Sequence, residues 1–404
     1  MNRIILVGNG FDLAHKLPTK YEDFINWYSQ ERFKGFEGNK THEDDDILCK
    51  LRMKNVQTVL KDYRQKVILN EEFNRYHSFY YSNSLHEFFT MNSNGDFKGI
   101  LDVFREVKGK IDIKDSFLFK NITKSIETKG WVDIENEYYN FLRSFLNDHK
   151  YNDPKQLNDE LDFIRTKLIE YLKEVQDKSI NKGILNEDIS KIITESFNKK
   201  DLSIEATEYY KKVTKFEGDD FLKKNVDYEF KIKEHPQPEN ILILDFNYTK
   251  TADLYLSKGS NIKINHIHGN LEHPNSVIFG YGDELDQDYK ELARLNNNEY
   301  LRNIKSIKYL ESSNYRDALS FVEFDRFQIY IMGHSCGNSD RTLMNTLFEH
   351  KNCASIKPFY YQNKDSEDNY LDIVQNISRN FTDMKLMRDR VVNKEFCEPL
   401  PQNE

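Results

Sequence analysis

Four short segments of this chain are rich in glycine, asparagine, histidine, serine and aspartate, and each follows a run of apolar residues. Such apolar runs are typical of buried strands, and the carboxyl ends of parallel strands meet at one edge of a sheet, where ligands bind. Histidine side chains can transfer protons there, and serine hydroxyls can act as nucleophiles. The sequence therefore predicts a polar pocket built from four strand ends, namely residues 8–12, 245–249, 265–270 and 333–340.

Each of these polar side chains also has a structural interpretation. His268 stands next to Gly269, which leaves it accessible, yet a lone histidine is more often a half-buried imidazole whose hydrogen bonds are satisfied. A purely structural interpretation of Asn247 is that its side chain holds a turn. We expect Asp340 to be the N-cap of the helix that carries Leu343 and Leu347.

The first of the four segments is a glycine turn. The apolar residues 4–7 before it predict a strand that is buried on both faces. Gly8 and Gly10 allow a sharp turn and a close approach of the backbone to a ligand. A strand that ends in G-x-G is half of the dinucleotide-binding fingerprint, but Leu13 stands where its third glycine is expected. A plain buried strand with a glycine turn explains the same residues equally well.

The last segment, Gly333-His334-Ser335-Cys336-Gly337, matches the G-x-S-x-G nucleophile elbow of α/β-hydrolases. In that fold the histidine follows the serine in the chain, and His350 is the one histidine beyond Ser335. His350 would lie about four helical turns along the following helix, pointing away from the elbow. This geometry is poor for a catalytic triad, and a Ser335 hydrolase is a rival hypothesis only.

The elements that must position these residues form an α/β pattern with a Rossmann-like parallel sheet. Residues 47–224 show helical spacing of apolar residues, and His235-Pro236-Gln237-Pro238 breaks it. Short apolar runs alternate with helical stretches after this break, at residues 241–244, 262–264, 277–279, 327–332 and 356–361. We expect a discontinuous α/β domain of residues 1–30 and 236–385, a large all-α insertion at 31–235, and a C-terminal tail at 386–404.

Composition excludes several classes of protein. The 404 residues carry a formal net charge of −9, with acidic and basic residues interspersed, which argues against a general nucleic-acid or membrane-surface protein. The cysteines are scattered without a C-x-x-C pair and fit reduced thiols. We find neither a signal pattern nor an apolar run long enough to span a bilayer, so we expect a cytoplasmic protein. No carboxylate cluster has metal-ligand spacing, and we expect no metal site.

The assembled motifs resemble those of the AbiH family of bacteriophage abortive-infection proteins. The resemblance rests first on V-G-N-G-F-D-L-A-H-K-L-P-T-K-Y-E-D-F at residues 7–24. Shorter motifs follow in the expected order, namely W-V-D-I-E at 131–135, F-N-Y-T at 246–249, H-I-H-G-N at 266–270 and G-H-S-C-G-N-S-D at 333–340. The resemblance covers nearly the whole chain and implies a role in phage defence.

The same strand ends are similar, more distantly, to the sirtuin-like NAD-binding fold. In sirtuin-like NADases of phage defence, an asparagine and a histidine form the catalytic pair. The similarity therefore implies that Asn247 orients the attacking water or the ribose and that His268 is the general base. It also implies NAD as substrate or ligand, with no tightly bound cofactor. The residues implied to surround the dinucleotide are Gly8, Asn9, Gly10, Phe11, Asp12, Gly333 and Ser335.

The chain departs from the sirtuin-like pattern in two ways. Asn9 and Asp12 stand where that fold has a small residue and a serine, and the charge of Asp12 would repel a pyrophosphate unless it faces the ribose hydroxyls. The chain also lacks the four-cysteine zinc module of the deacetylases, so protein deacetylation is not expected.

The resulting hypothesis is an abortive-infection effector that cleaves NAD at the nicotinamide–ribose bond. The main alternative is a non-catalytic protein that senses a nucleotide and binds a partner through its helical region. The expected partners are NAD or a related nucleotide, a phage trigger and a second copy of the chain, with no membrane and no nucleic acid.

Overall fold

The structure is a computed structural model that describes residues 1–38, 43–53, 111–129, 132–146, 153–179, 185–208, 237–257 and 259–403. Trp131 and the predicted break at His235 and Pro236 lie outside these residues. The chain forms two compact units, and the domain boundaries expected from the sequence stay a prediction. The α/β unit consists of Met1–Pro18, Leu172–Asn297 and Asn303–Glu404, and the second unit consists of Thr19–Tyr171 and Asn298–Arg302.

The strands in the described residues belong to two sheets. In chain order they are β1 (Asn2–Val7), β2 (Glu43–Asp45), β3 (Cys49–Met53), β4 (Ile111–Asp115), β5 (Ile241–Asp245), β6 (Ile262–His266), β7 (Phe327–Met332) and β8 (Cys353–Phe359).

None of the helices in the described part of the chain is long and apolar enough to cross a membrane. In chain order they are α1 (Asn9–Ala14), α2 (Tyr21–Gly38), α3 (Phe117–Lys129), α4 (Ile134–Ser144), α5 (Pro154–Ser179), α6 (Glu187–Thr194), α7 (Gln287–Arg294), α8 (Lys305–Lys308), α9 (Asn314–Phe324), α10 (Arg341–Phe348), α11 (Tyr370–Arg379) and α12 (Met384–Arg390).

A five-stranded parallel sheet with the strand order β6-β5-β1-β7-β8 forms the centre of the α/β unit. This confirms the predicted α/β class with a Rossmann-like parallel sheet. All six residues of β1 are buried, as the continuous apolar run predicted. Ile4 and Leu6 pack into the core on one face, whereas Ile5 and Val7 pack on the other, because side chains alternate along a strand.

One predicted strand is wrong. Residues 277–279 are buried but form no strand. The Ile278 N–H donates to the His268 carbonyl at 2.9 Å, and the Ile278 carbonyl accepts from the Tyr248 hydroxyl at 3.0 Å. The run is apolar because it is covered, and burial alone does not distinguish a strand from a packed loop.

The expected all-α character of residues 31–235 is also wrong for the described part of that segment. Strands β2, β3 and β4 pair there in an antiparallel sheet within the second unit. The sequence carried a signal for β4, since Ile111-Asp112-Ile113-Lys114-Asp115 alternates apolar and charged residues with the period of a strand. The helical spacing of the surrounding residues hid this short alternation.

Residues of the predicted C-terminal tail pair with β8. Pro399 bridges to Tyr360, and the N–H of the buried Leu400 donates to the Tyr360 carbonyl at 2.8 Å. Farther along, the Asn403 N–H donates to the carbonyl of Ala14 at 2.8 Å. The end of the described chain therefore contacts the helix that follows β1.

The turns after β1 and β7 are in direct backbone contact. The Gly10 N–H donates to the Gly333 carbonyl at 2.8 Å, and the Gly8 N–H donates to the Met332 carbonyl at 3.3 Å. A Cβ on Gly8 would lie 2.6 Å from the Cα of His334. Gly333 has a φ of +74°, and a Cβ there would lie 2.1 Å from the Phe11 nitrogen. Close packing of the two turns therefore requires glycine at these positions.

Replacing Gly333 by Ala tests this contact, with Gly259→Ala as a matched control. Gly259 has a φ of +80°, but a Cβ there meets no described atom within 4 Å. Backbone strain alone should lower the free energy of unfolding of Gly259→Ala by about 1–2 kcal/mol. The added clash should bring the loss in Gly333→Ala to about 3 kcal/mol or more. Urea denaturation of both variants measures the difference, and equal losses would contradict a requirement for close approach.

Candidate active site

The carboxyl ends of β1, β5, β6 and β7 carry the polar residues that the sequence singled out. Because these strands are parallel, their ends lie at the same edge of the sheet. Asn247 follows β5, His268 follows β6, and the segment from Gly333 to Asp340 follows β7.

The most concentrated chemistry at this edge is a buried cluster of His268, Asp340 and Lys305. The Lys305 Nζ donates to the Asp340 Oδ1 at 2.9 Å, and the Nε2 of His268 lies 3.2 Å from the same oxygen. Only 1% of Lys305, 3% of His268 and 7% of Asp340 is exposed. Buried charges are tolerated when they are paired in this way.

The cluster fixes the charge of its members. Burial and, next, the nearby Lys305 ammonium lower the pKa of His268 to about 4, although Asp340 opposes both. Burial alone would raise the pKa of Asp340, but Lys305 and His268 outweigh it and hold that pKa well below its usual range. At neutral pH the imidazole is therefore neutral and the carboxylate is ionised.

The Asp340 side chain has a role other than the predicted helix capping. The residue occupies the N-cap position of α10, but its side chain makes no capping hydrogen bond. The carboxylate instead contacts Lys305 and His268, because a buried cation attracts it more strongly than a backbone N–H does. The sequence did not identify Lys305 as a site residue, since nothing in Asn303-Ile304-Lys305-Ser306 distinguishes a buried lysine from a surface one.

Aromatic rings surround the cluster. The Phe246 ring lies 5.0 Å from the His268 ring and 4.2 Å from the His334 ring, measured between centroids. The Tyr309 hydroxyl lies 3.1 Å from the His268 Nε2. The His334 Nε2 lies 3.7 Å from the second oxygen of Asp340. The end of β5 thus contacts the histidines that follow β6 and β7.

Asn247 links the ends of β5 and β1. Its side-chain Nδ2 donates to the Gly8 carbonyl at 3.0 Å, and its backbone N–H donates to the Asp245 Oδ1 at 3.0 Å. The turn-holding role considered for Asn247 is therefore present in the structure.

Asp12 is a buried carboxyl group, and one of its two oxygens accepts a hydrogen bond from a described residue. Its Oδ2 accepts a hydrogen bond from the Thr249 hydroxyl at 2.8 Å, whereas its Oδ1 has no hydrogen-bond partner among the described residues. Burial raises the pKa of Asp12 to about 7, although hydrogen bonds from Thr249 and Thr251 lower it. Asp12 can therefore gain or lose a proton near neutral pH.

Comparison with known proteins now bears on this edge of the sheet. A family model described as "Bacteriophage abortive infection AbiH" matches residues 4–362, which is most of the chain. The chain belongs to the AbiH family. Its role is accordingly in bacteriophage abortive infection. No curated protein and no solved structure matches the chain.

The matched AbiH segment includes every strand of the parallel sheet and the whole His268–Asp340–Lys305 cluster. The family model ends at residue 362, just after β8. The cluster therefore lies within the matched segment, whereas residues 363–404 lie beyond it.

The other predicted contact residues of this AbiH chain have varied surroundings. Phe11 is buried, with its ring 4.6 Å from His15 and 5.6 Å from Tyr255 between centroids. Asn9 begins α1, between the glycines that pack against the β7 turn. Ser335 is exposed, and its carbonyl accepts a hydrogen bond from the Asn376 Nδ2 at 2.8 Å.

The structure does not assemble a triad from Ser335 and His350. The His350 ring lies 5.8 Å from Phe327, the first residue of β7, and its Nε2 lies 3.2 Å from Glu323. Ser335 follows the last residue of the same strand, so the two residues lie at opposite ends of β7. Within the described stretches, no group of three or more His, Cys, Asp and Glu side chains is placed to hold a metal ion.

His266 has a different environment from His268 and offers a pH test of the AbiH fold. Its Nδ1 lies 3.2 Å from the buried Asp245, and its Nε2 lies 3.3 Å from Asp253. Burial opposes the protonated form, but the two carboxylates outweigh burial and raise the pKa of His266 to about 9. Because the folded state holds this proton more tightly than the unfolded state, the ion pairs stabilise the protein fully below about pH 6.5.

We therefore expect the free energy of unfolding to fall by about 1–3 kcal/mol as the pH rises from 6.5 to above 9. His266→Gln should remove most of this fall, whereas His273→Gln, at an exposed position, should keep it. Denaturant titrations at a series of pH values measure the effect. The same pH dependence in His266→Gln as in the wild type would contradict the assignment.

Proposed function

We propose that this AbiH protein acts in abortive infection by cleaving NAD at the bond between nicotinamide and ribose. The observation that carries the proposal is the neutral, buried His268 held beside the Asp340 carboxylate, at the sheet edge that also carries Asn247. A neutral imidazole can accept a proton at neutral pH, as a general base must.

The chemistry requires one proton acceptor. The glycosidic carbon–nitrogen bond of NAD breaks and its electron pair leaves with nicotinamide, which becomes neutral and needs no proton. Water forms the new bond to the ribose carbon, and His268 takes the proton that water releases. Asn247 orients this water. The products are nicotinamide, ADP-ribose and the proton that His268 returns to solvent.

Asp12 supports the presence of a ribose near this edge. Its Oδ1 is a buried acceptor without a partner in the described part of the chain, and a ribose hydroxyl is a donor of the required kind. A pyrophosphate, by contrast, would face the negative charge of an ionised Asp12. We therefore propose that Asp12 faces the ribose hydroxyls.

The remaining contacts to the dinucleotide stay predictions. The N–H groups of Gly8 and Gly10 donate to the carbonyls of Met332 and Gly333, so backbone binding of phosphate would require that these turns separate. The contacts proposed for Asn9, Phe11, Gly333 and Ser335 involve residues of the same two turns and the helix after β1.

The decisive measurement is nicotinamide release from NAD by the purified protein, with and without lysate of phage-infected cells. Infected lysate is included because His268 is only 3% exposed, so substrate access requires opening of the site. Loss of a general base should lower the rate of His268→Ala about 100-fold or more, and Asn247→Ala should also lower it. His350→Ala, at the other end of β7, should keep the wild-type rate.

Thermal unfolding of each variant separates loss of chemistry from loss of fold, since Asn247 also holds a turn. Wild-type protein that releases no nicotinamide under either condition would contradict the proposal.

A second candidate, a nucleotide sensor without turnover, is favoured by the bond between Asn247 and the Gly8 carbonyl, which uses the Asn247 amide for structure. In that case NAD would raise the melting temperature of the wild type without being consumed.

A further inference from the structure

We propose that Asp340, with Lys305 as its counter-ion, is the positioning residue that holds His268 with a proton on Nε2 and leaves Nδ1 as the basic nitrogen. The orientation follows from the contacts of one carboxylate. The use of Nδ1 as a base toward water rests, in addition, on the function proposed above.

The ionised Asp340 carboxylate can only accept hydrogen bonds. The Lys305 Nζ is 2.9 Å from its Oδ1, and both residues are buried, so the carboxylate gains more from being ionised than from holding a proton. Lys305 extends from the start of α8, where its own backbone N–H donates to the Tyr281 carbonyl at 2.9 Å. The ammonium group is therefore held on a fixed segment of backbone.

The contact with Asp340 determines which ring nitrogen of His268 carries the proton. Its Nε2 lies 3.2 Å from the Asp340 Oδ1. A lone pair on Nε2 would oppose the lone pairs of a carboxylate oxygen inside the protein, which is unfavourable without water. A proton on Nε2 turns the same contact into an attraction. The Tyr309 hydroxyl, 3.1 Å from Nε2, can serve as a second acceptor for that proton.

The Nδ1 of His268 is the nitrogen that remains available as a base. A neutral imidazole carries a single ring proton, so a proton on Nε2 leaves Nδ1 with its lone pair. When Nδ1 accepts a proton from water, the ring becomes a cation beside the Asp340 carboxylate. That carboxylate then stabilises the charge that the reaction creates, as the aspartate of a serine protease triad does for its histidine.

His334 supports the assignment independently. The Cys336 N–H donates to the His334 Nδ1 at 3.0 Å, so the neutral His334 ring must carry its proton on Nε2. That Nε2 lies 3.7 Å from the Asp340 Oδ2. Two imidazoles therefore present the same protonated nitrogen to the two oxygens of one carboxylate.

The proton positions can be measured without any turnover, by NMR of the full-length protein labelled with 15N in its histidine rings. The His268 signals are identified by their loss in His268→Gln. We expect a protonated Nε2 and a lone-pair Nδ1 at neutral pH. A protonated Nδ1 in the wild type would overturn the proposal.

Neutralising the pair tests whether Asp340 is responsible. Asp340→Asn alone leaves a buried ammonium unpaired and is expected to unfold readily, so we combine it with Lys305→Met. The double variant should fold, show both His268 tautomers, and lower kcat for nicotinamide release about 10-fold or more with little change in KM. A single Nε2–H tautomer in this folded double variant would overturn the role of Asp340.

A matched control is a second buried lysine–aspartate pair among the described residues, Lys357 and Asp201, whose Nζ and Oδ2 are 3.4 Å apart. Lys357→Met combined with Asp201→Asn should leave the His268 signals as in the wild type. The two proposals can fail separately. If His268 carries its proton on Nε2 but the protein releases no nicotinamide, the proposed orientation is supported and only the proposed function is contradicted.

Discussion

The contact between the backbone turns after β1 and β7 is the constraint on which the carboxyl edge of the sheet depends. It brings Gly10 and Gly333 within hydrogen-bond distance, with no room for a side chain between them. His334 follows this contact directly, and its ring packs on Phe246 at the end of β5. The contact therefore fixes where the β7 segment runs, and with it the position of Asp340 beside His268.

Arg3 and Lys305 are two buried cations of the α/β unit whose partners give them different roles. The Arg3 Nη1 donates to the carbonyls of Ile193 and Glu195 at the end of α6, at 3.0 and 2.8 Å. These carbonyl acceptors hold no titratable proton, and the contact joins a helix end to the central strand. Lys305 instead pairs with a carboxylate that lies beside an imidazole. Buried Lys305 thus influences the protonation of His268, whereas buried Arg3 joins two elements of the fold.

The sequence predicted the parts of the fold that depend on local pattern. The central strand β1 was recognisable because residues buried on both faces form a continuous apolar run. Residues 277–279 show the limit of that signal, since a covered loop is apolar too. At the site, His268 was recognisable from its type and its place after a strand. Lys305 was not, because its contact with Asp340 joins positions far apart in the chain, and only the fold reveals that this lysine is buried.

The burial of the site bears on what an abortive-infection protein must do. The Asn247 Nδ2 and the His268 Nε2 are engaged with Gly8, Asp340 and Tyr309, and little of either residue reaches solvent. These contacts pair buried polar groups within the protein, so the groups are satisfied without a bound ligand. An enzyme that destroyed NAD continuously would kill an uninfected host. Under the proposed function the buried site must open to admit NAD, and it must do so without dismantling the Asp340–Lys305 pair that orients His268.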